Sequence, residues 1–187
     1  MGNVERNWRG IVYIATSIDG YIARLDGDID WLTEPDRSVK HPGEVPGPGI
    51  RSSYDDLMTR VDVMVMGRNT YEKVLTFDSW PYSLPVIVLS TTLSDMQDAR
   101  ITVVRSLEAA VEGLNNLAAR AVYIDGGETI RTFLAADMID EITLTRAPVI
   151  IGGGPALFTR LDKDVQLSLQ AVEAEGGYLM ARYEVVR

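Results

Sequence analysis

Val61-Asp62-Val63-Met64-Val65-Met66-Gly67-Arg68-Asn69-Thr70-Tyr71 carries an apolar run directly into a glycine, a cation and two small polar residues. Val61, Val63, Met64, Val65 and Met66 read as a strand buried on both faces, since few polar positions interrupt them. Gly67 allows both a turn and a close approach of a ligand to backbone. A helix beginning just beyond it presents unpaired N–H groups, an arrangement that favours phosphate, and Arg68 adds a bidentate donor beside them. The same residues also suit an ordinary strand-to-helix turn with a surface arginine, so the rest of the chain has to decide.

Two further strands end in the same way. Pro85-Val86-Ile87-Val88-Leu89 runs into Ser90-Thr91-Thr92, and Ala121-Val122-Tyr123-Ile124-Asp125 runs into Gly126-Gly127-Glu128-Thr129. Ligands of open α/β sheets sit beyond the carboxyl ends of strands. Two helix starts at that edge would take the two phosphates of a pyrophosphate, and the hydroxyls with Arg68 a third.

Around these junctions, strands alternate with helices. Ile11–Ala15 is the first strand candidate, and Ile101–Val104 another. Ser52 or Ser53 caps a helix to about Arg60, a second helix spans Asn69–Phe77, and a third runs from Leu107 to Ala119. In the last, Leu107, Ala110, Val111, Leu114 and Leu117 recur at three- and four-residue intervals. A helix follows Gly127 to about Ala136, and Ile139–Thr145 is a further strand. Val165–Ala174 and Tyr178–Val186, joined through Glu175-Gly176-Gly177, form an antiparallel hairpin. The expected fold is α/β: three layers around a mostly parallel sheet with a C-terminal antiparallel hairpin, in one domain over residues 1–187.

Composition narrows the function. With 187 residues, 46% hydrophobic and 24% charged, the chain has the profile of a soluble globular domain. A net charge of −9 argues against nucleic acid and anionic membrane as partners. No cysteine is present, which removes thiolate chemistry and fits a cytoplasmic setting, and no signal peptide or membrane span is legible. No metal site is expected either, because His41 is the single histidine. It lies in the Pro/Gly-rich stretch 33–50, read as a loop.

In order along the chain, these motifs resemble a known family. Met66-Gly67-Arg68-Asn69-Thr70-Tyr71-Glu72 and Ile124-Asp125-Gly126-Gly127-Glu128-Thr129-Ile130 are similar to the two glycine motifs of dihydrofolate reductases. Thr16-Ser17-Ile18-Asp19-Gly20-Tyr21-Ile22-Ala23, Trp31-Leu32-Thr33 and Ala147-Pro148 through Gly152-Gly153 resemble the reductase domain of the riboflavin-biosynthesis deaminase–reductase. The dinucleotide fingerprint GxGxxG is missing. The resemblance implies a dihydrofolate-reductase-like sheet, NADPH as cofactor, a small heterocyclic substrate of the pyrimidine or pterin type, and a homodimer, with the strand near Ile139–Thr145 available for the contact. It places Ala15 and Ile22 at the nicotinamide and Arg68, Ser90 and Thr91 at the 2′-phosphate. Gly67, Asn69, Thr70 and the segment Asp125, Gly126, Gly127, Glu128, Thr129 would hold the pyrophosphate.

The substrate side is less determined. Asp19 either lines the nicotinamide pocket or forms a turn with Gly20, and Asp55 either faces the heterocycle or lies on a solvated helix start. These two are the candidate catalytic acids. Trp31 and Arg37 are the candidate substrate contacts, Trp31 by stacking or else as a core anchor, Arg37 through a ribose phosphate. Tyr71 and Tyr123 read as packing residues, and Gly152-Gly153-Gly154 as either a tight turn or a third glycine cluster at a ligand. Reduction needs orientation, exclusion of water and one proton source, so a site poor in histidine is no obstacle. An NADPH-dependent reductase is the leading reading. Dihydrofolate reductase proper, a nucleotide-binding module without catalysis and an enzyme of another phosphorylated ligand are the alternatives.

Overall fold

In the computed structural model of the chain, residues 6–34, 53–94 and 98–187 are described, and Arg37 and His41 lie outside them. The strand at the centre of the sequence argument is β2 (Val63–Gly67), whose side chains alternate. Val63 and Val65 enter one apolar cluster, Met64 and Met66 the other, and all four are buried. Both faces of β2 are therefore covered, as a parallel interior strand requires.

Around it stand β1 (Arg9–Thr16), β3 (Val86–Leu89), β4 (Ile101–Val104), β5 (Ala121–Asp125), β6 (Glu141–Arg146), β7 (Gln166–Glu175) and β8 (Tyr178–Val186). The eight strands form one sheet in the order β4-β3-β2-β5-β1-β6-β8-β7. Pairings from β4 through β6 are parallel, and β8 is antiparallel to both β6 and β7. Helices α4 (Leu107–Asn116) and α5 (Gly127–Ala135) contribute Val111, Leu114, Ile130 and Phe133 to one cluster. On the opposite face lie α2 (Tyr54–Arg60) and α3 (Arg68–Val74), which bring Leu57 and Tyr71. The three layers expected from sequence are present, and a short α1 (Asp30–Thr33) precedes the undescribed stretch.

Local signals account for most boundaries. Ser53 caps α2 with a reciprocal box, its hydroxyl accepting from the Asp56 amide while the Asp56 carboxylate accepts from the Ser53 amide. Ser106 caps α4 in the simpler form. Strand β6 runs between β1 and β8 with Glu141, Ile142 and Thr143 buried. That interior position leaves β6 no free edge for the subunit contact expected near Ile139–Thr145. The hairpin carries exposed apolar side chains of its own, among them Leu167, Leu169 and Leu179. No helix among the described residues is long and apolar enough to cross a membrane.

Gly10 shows how tightly β1 is held. Its amide donates to the Asp140 carboxylate at 2.8 Å and its carbonyl accepts from the Asp140 amide. A Cβ there would collide with the Met138 carbonyl, which is backbone and cannot turn aside. Gly10→Ala is expected to cost about 2 kcal/mol, or roughly 4–8 °C in Tm by thermal unfolding. An unchanged Tm would mean that β1 shifts freely.

Candidate functional site

The carboxyl ends of the parallel strands open into a cavity of about 1850 Å³. That volume exceeds the ordinary range for one small ligand and leaves room for two. The three strand exits picked out in the sequence meet here because β3, β2 and β5 are neighbours in the sheet.

Every residue expected at the cofactor lines this cavity. Ser90 and Thr91 stand at the end of β3, and Gly67, Arg68, Asn69 and Thr70 at the end of β2. Asp125, Gly126, Gly127, Glu128 and Thr129 follow β5, with Ala15 on β1 and Ile22 just beyond it. The glycines are a matter of space. Gly126 has φ +87, and a Cβ on it would run into the Thr70 hydroxyl. A Cβ on Gly67 would stand 2.9 Å from Thr129 Oγ1. The two motifs thus press against each other across a gap that only hydrogen atoms leave open. Helix α5 starts at Gly126 with no side chain capping it, so its first amides are left for a ligand.

Cations gather at one end. Arg68 Nε donates to Glu72 at 2.6 Å and Nη1 to Thr92 Oγ1 at 2.9 Å, which holds the guanidinium beside the exit of β3. Arg105, at the end of β4, donates to the Ser90 carbonyl at 2.7 Å. Ser90 is buried, and its hydroxyl accepts from the amides of Thr92 and Leu93, fixing the turn.

The other side of the cavity has a different character. Tyr13, Tyr54, Tyr82 and Tyr123 line it together with Asp125. The Tyr54 ring meets Tyr13 and Tyr123 edge-on, with centroids 6.3 and 6.4 Å apart. Tyr123 donates to the Tyr13 carbonyl at 2.9 Å. Burial pushes the Asp125 carboxyl up to about 6, outweighing the Gly126 amide and the Tyr123 hydroxyl that favour its anion. Burial also raises the Tyr54, Tyr82 and Tyr123 hydroxyls, and the Asp125 charge adds to each.

Three expected site residues lie elsewhere. Asp19 is exposed and off the cavity lining. Its carboxylate accepts from the amides of Ile151 and Gly152 at 3.3 and 2.8 Å. The Ser17 hydroxyl and these amides hold it below the usual carboxylate range. It orders the loop without facing the pocket. Asp55 is exposed near the start of α2 and also off the lining, since burial of Leu57 sets the helix's rotation and Asp56 is used in the cap. Trp31 is buried as a core anchor and off the lining, and its Nε1 has no partner among the described residues.

The Gly152–Gly154 cluster is a structural turn rather than a ligand loop. Gly154 has φ +146, and a Cβ on it would strike the Ala23 carbonyl. That close approach lets Tyr21 bridge Ala156 and brings Ile22 under the Pro155 carbonyl. The loop after β1 is clasped in this way at the cavity mouth.

Sequence reasoning missed the tyrosine wall and the burial of Asp125. Tyr54 and Tyr82 lie outside every motif, and their positions carry no spacing signal. Asp125 stood in a motif, but nothing local marks its carboxyl as buried.

Comparison with known proteins identifies the family. The family model of the RibD C-terminal domain matches residues 9–179. The uncharacterized protein YwjB of Bacillus subtilis (strain 168) is 34% identical, over 92% of this chain and 95% of its own. A solved protein of Shewanella sp. PV-4, named provisionally for riboflavin biosynthesis, is 39% identical with a TM-score of 0.81, over 96% of this chain and 99% of its own. The Thermotoga maritima diaminohydroxyphosphoribosylaminopyrimidine deaminase/5-amino-6-(5-phosphoribosylamino)uracil reductase shares the fold at 15% identity and a TM-score of 0.67; the match covers 96% of this chain and 57% of that one. The chain belongs to the RibD C-terminal domain family, the dihydrofolate-reductase-like reductase domains that its motifs resemble.

Proposed function

We propose that the chain is an NADPH-dependent reductase of a pyrimidine- or pterin-type heterocycle. The observation that carries this reading is one cavity with two unlike ends: a cationic, glycine-cradled edge and a tyrosine-lined chamber holding a half-buried carboxyl. The close-packed glycine turns at Gly67 and Gly126, the uncapped start of α5 and the paired arginines fit a pyrophosphate and a 2′-phosphate along this edge. Beside them, the chamber has the flat aromatic surfaces that suit a planar ring.

When bound, NADPH would supply a hydride to one carbon of the ring system. Reduction of a C=N bond also needs a proton on nitrogen, and Asp125 is the group suited to hold it. A carboxyl raised to about 6 keeps a useful protonated fraction near neutral pH. The clasped loop carrying Ile22 would shield the reacting atoms from water. Dihydrofolate reductase proper is the weaker reading, because the acid on α2 expected for it, Asp55, is solvated, and Asp56, which does line the cavity, is held in the α2 cap.

NADPH is expected to raise Tm more than NADH does, as read by differential scanning fluorimetry at equal concentrations. Arg68→Ala should weaken NADPH by about tenfold in titration calorimetry and NADH by far less, since a charge-assisted bond contributes roughly 1.5–3 kcal/mol. Equal losses for both cofactors would move Arg68 to the pyrophosphate, and no shift with either would remove the cofactor assignment.

A further inference from the structure

Charge along the cavity changes sign with strand position. At the β4–β3–β2 end stand Arg105 and Arg68. Two other cations line the cavity among the described residues. Lys73, on α3, lies 3.8 Å from Asp28, and Arg131, on α5, is spent on the carbonyls of Ala156 and Leu157. From β5 outward the sign reverses. Asp125 is followed across the sheet by Glu173 and Glu175 on β7, and Asp56 faces the cavity from α2. Among the described lining residues, β1, β6, β7, β8 and α2 contribute no cation to this half. A dianionic phosphate ester there would face carboxylates in a site of reduced dielectric.

The tyrosines add direction to this picture. Tyr54 lines the same wall as Tyr82 and Asp125, and its edge-on contacts with Tyr13 and Tyr123, centroids 6.3 and 6.4 Å apart, hold its ring in place. Its phenol carries one O–H to give there. Burial and the Asp125 charge keep that hydroxyl protonated. The chamber therefore offers a hydroxyl donor on an aromatic wall, with acids beyond it.

We propose that this chamber selects an uncharged, unphosphorylated planar ring, with Tyr54 donating a hydrogen bond to a ring carbonyl and the acids of β7 excluding a phosphate ester. The assignment rests on the reductase reading and narrows its substrate class. It separates the chain from the Thermotoga maritima enzyme, whose named substrate is a phosphoribosylaminouracil. The acids do the excluding: Glu173 is half-buried and Glu175 exposed, and both line the cavity.

The test is calorimetric titration of the full chain with a matched pair of ribosylaminopyrimidines, one bearing a 5′-phosphate and one without, in the presence of NADP⁺. The unphosphorylated member is expected to bind at least about tenfold tighter, a ratio that a single like-charge contact suffices to give. The double substitution Glu173→Gln/Glu175→Gln should narrow that ratio toward unity. Tyr54→Phe should weaken both members by about tenfold while NADP⁺ affinity stays unchanged. Equal or tighter binding of the phosphorylated member, failure of both to bind, or a silent Tyr54→Phe overturns the proposal. Failure of the reductase reading looks different: NADP⁺ leaves Tm unmoved while the two rings still separate on the cofactor-free protein.

Discussion

Asp125→Asn is expected to remove most turnover while raising the melting temperature at pH 8. Both effects come from one half-buried carboxyl on the cavity wall. As a proton donor Asp125 would contribute roughly 10²–10⁴ in rate, and the isosteric amide cannot replace it. Stability moves the opposite way. The folded-state value, about 6, lies above the ordinary 3.8, so the protonated form is the one the fold prefers. The stabilising contribution is complete below about pH 4 and is lost as pH rises through 6. A shift of about two units corresponds to as much as ~3 kcal/mol of cost when the anion is forced into the site at pH 8. Asn carries no such cost, so the variant should outlast the wild type at pH 8 and match it near pH 4. The pH profile of kcat/KM in the wild type should fall above pH 6 as the donor deprotonates. Parallel melting curves for the two proteins from pH 4 to 8 would mean the carboxyl is solvated, and full activity in the variant would place the proton source elsewhere.

What could be read from sequence was the part that folds locally. Strand β2 announces both of its faces through Val63, Met64, Val65 and Met66, and each cofactor-side residue follows its own strand within a few positions. Parallel pairing of β3, β2 and β5 then lines those exits up without further information. The capping box at Ser53 and Asp56 fixed the start of α2 equally locally. The substrate chamber was illegible for the converse reason: its walls come from positions 13, 54, 82 and 123, and no periodicity connects them. Asp19 was misplaced because its carboxylate is claimed by amides some 130 residues later in the chain. Asp55 and Asp56 are adjacent acids on one short helix, and the burial of Leu57 settles which of them reaches the cavity. Trp31 could equally have stacked on a ligand or anchored the core, and only the packing around it chooses the core.

Gly126→Ala should be the most damaging single methyl at the cofactor edge, lowering NADPH affinity by at least about 100-fold in titration calorimetry. Two separate costs meet at this position. Its φ of +87 with ψ of 133 is a conformation that an L side chain rarely adopts, which costs on the order of 1–3 kcal/mol. The added methyl also collides with the Thr70 hydroxyl and stands 3.8 Å from the Gly67 amide, forcing apart the two turns assigned to the pyrophosphate. Neighbouring Gly127 provides the contrast. Its φ is not positive, and its Cβ would meet Ile22 Cδ1 at 2.7 Å and Arg131 Nη1 at 3.0 Å, both far ends of flexible side chains. Gly127→Ala should therefore cost several-fold less in affinity. A double-mutant cycle with Thr70→Ala separates the two terms at Gly126. Removing the Thr70 hydroxyl relieves the crowding, so part of the lost stability returns. The strain in φ remains, and so does the methyl beside the Gly67 amide, so affinity stays low. Affinity of Gly126→Ala within threefold of the wild type would mean that the cofactor does not lie between the two glycine motifs.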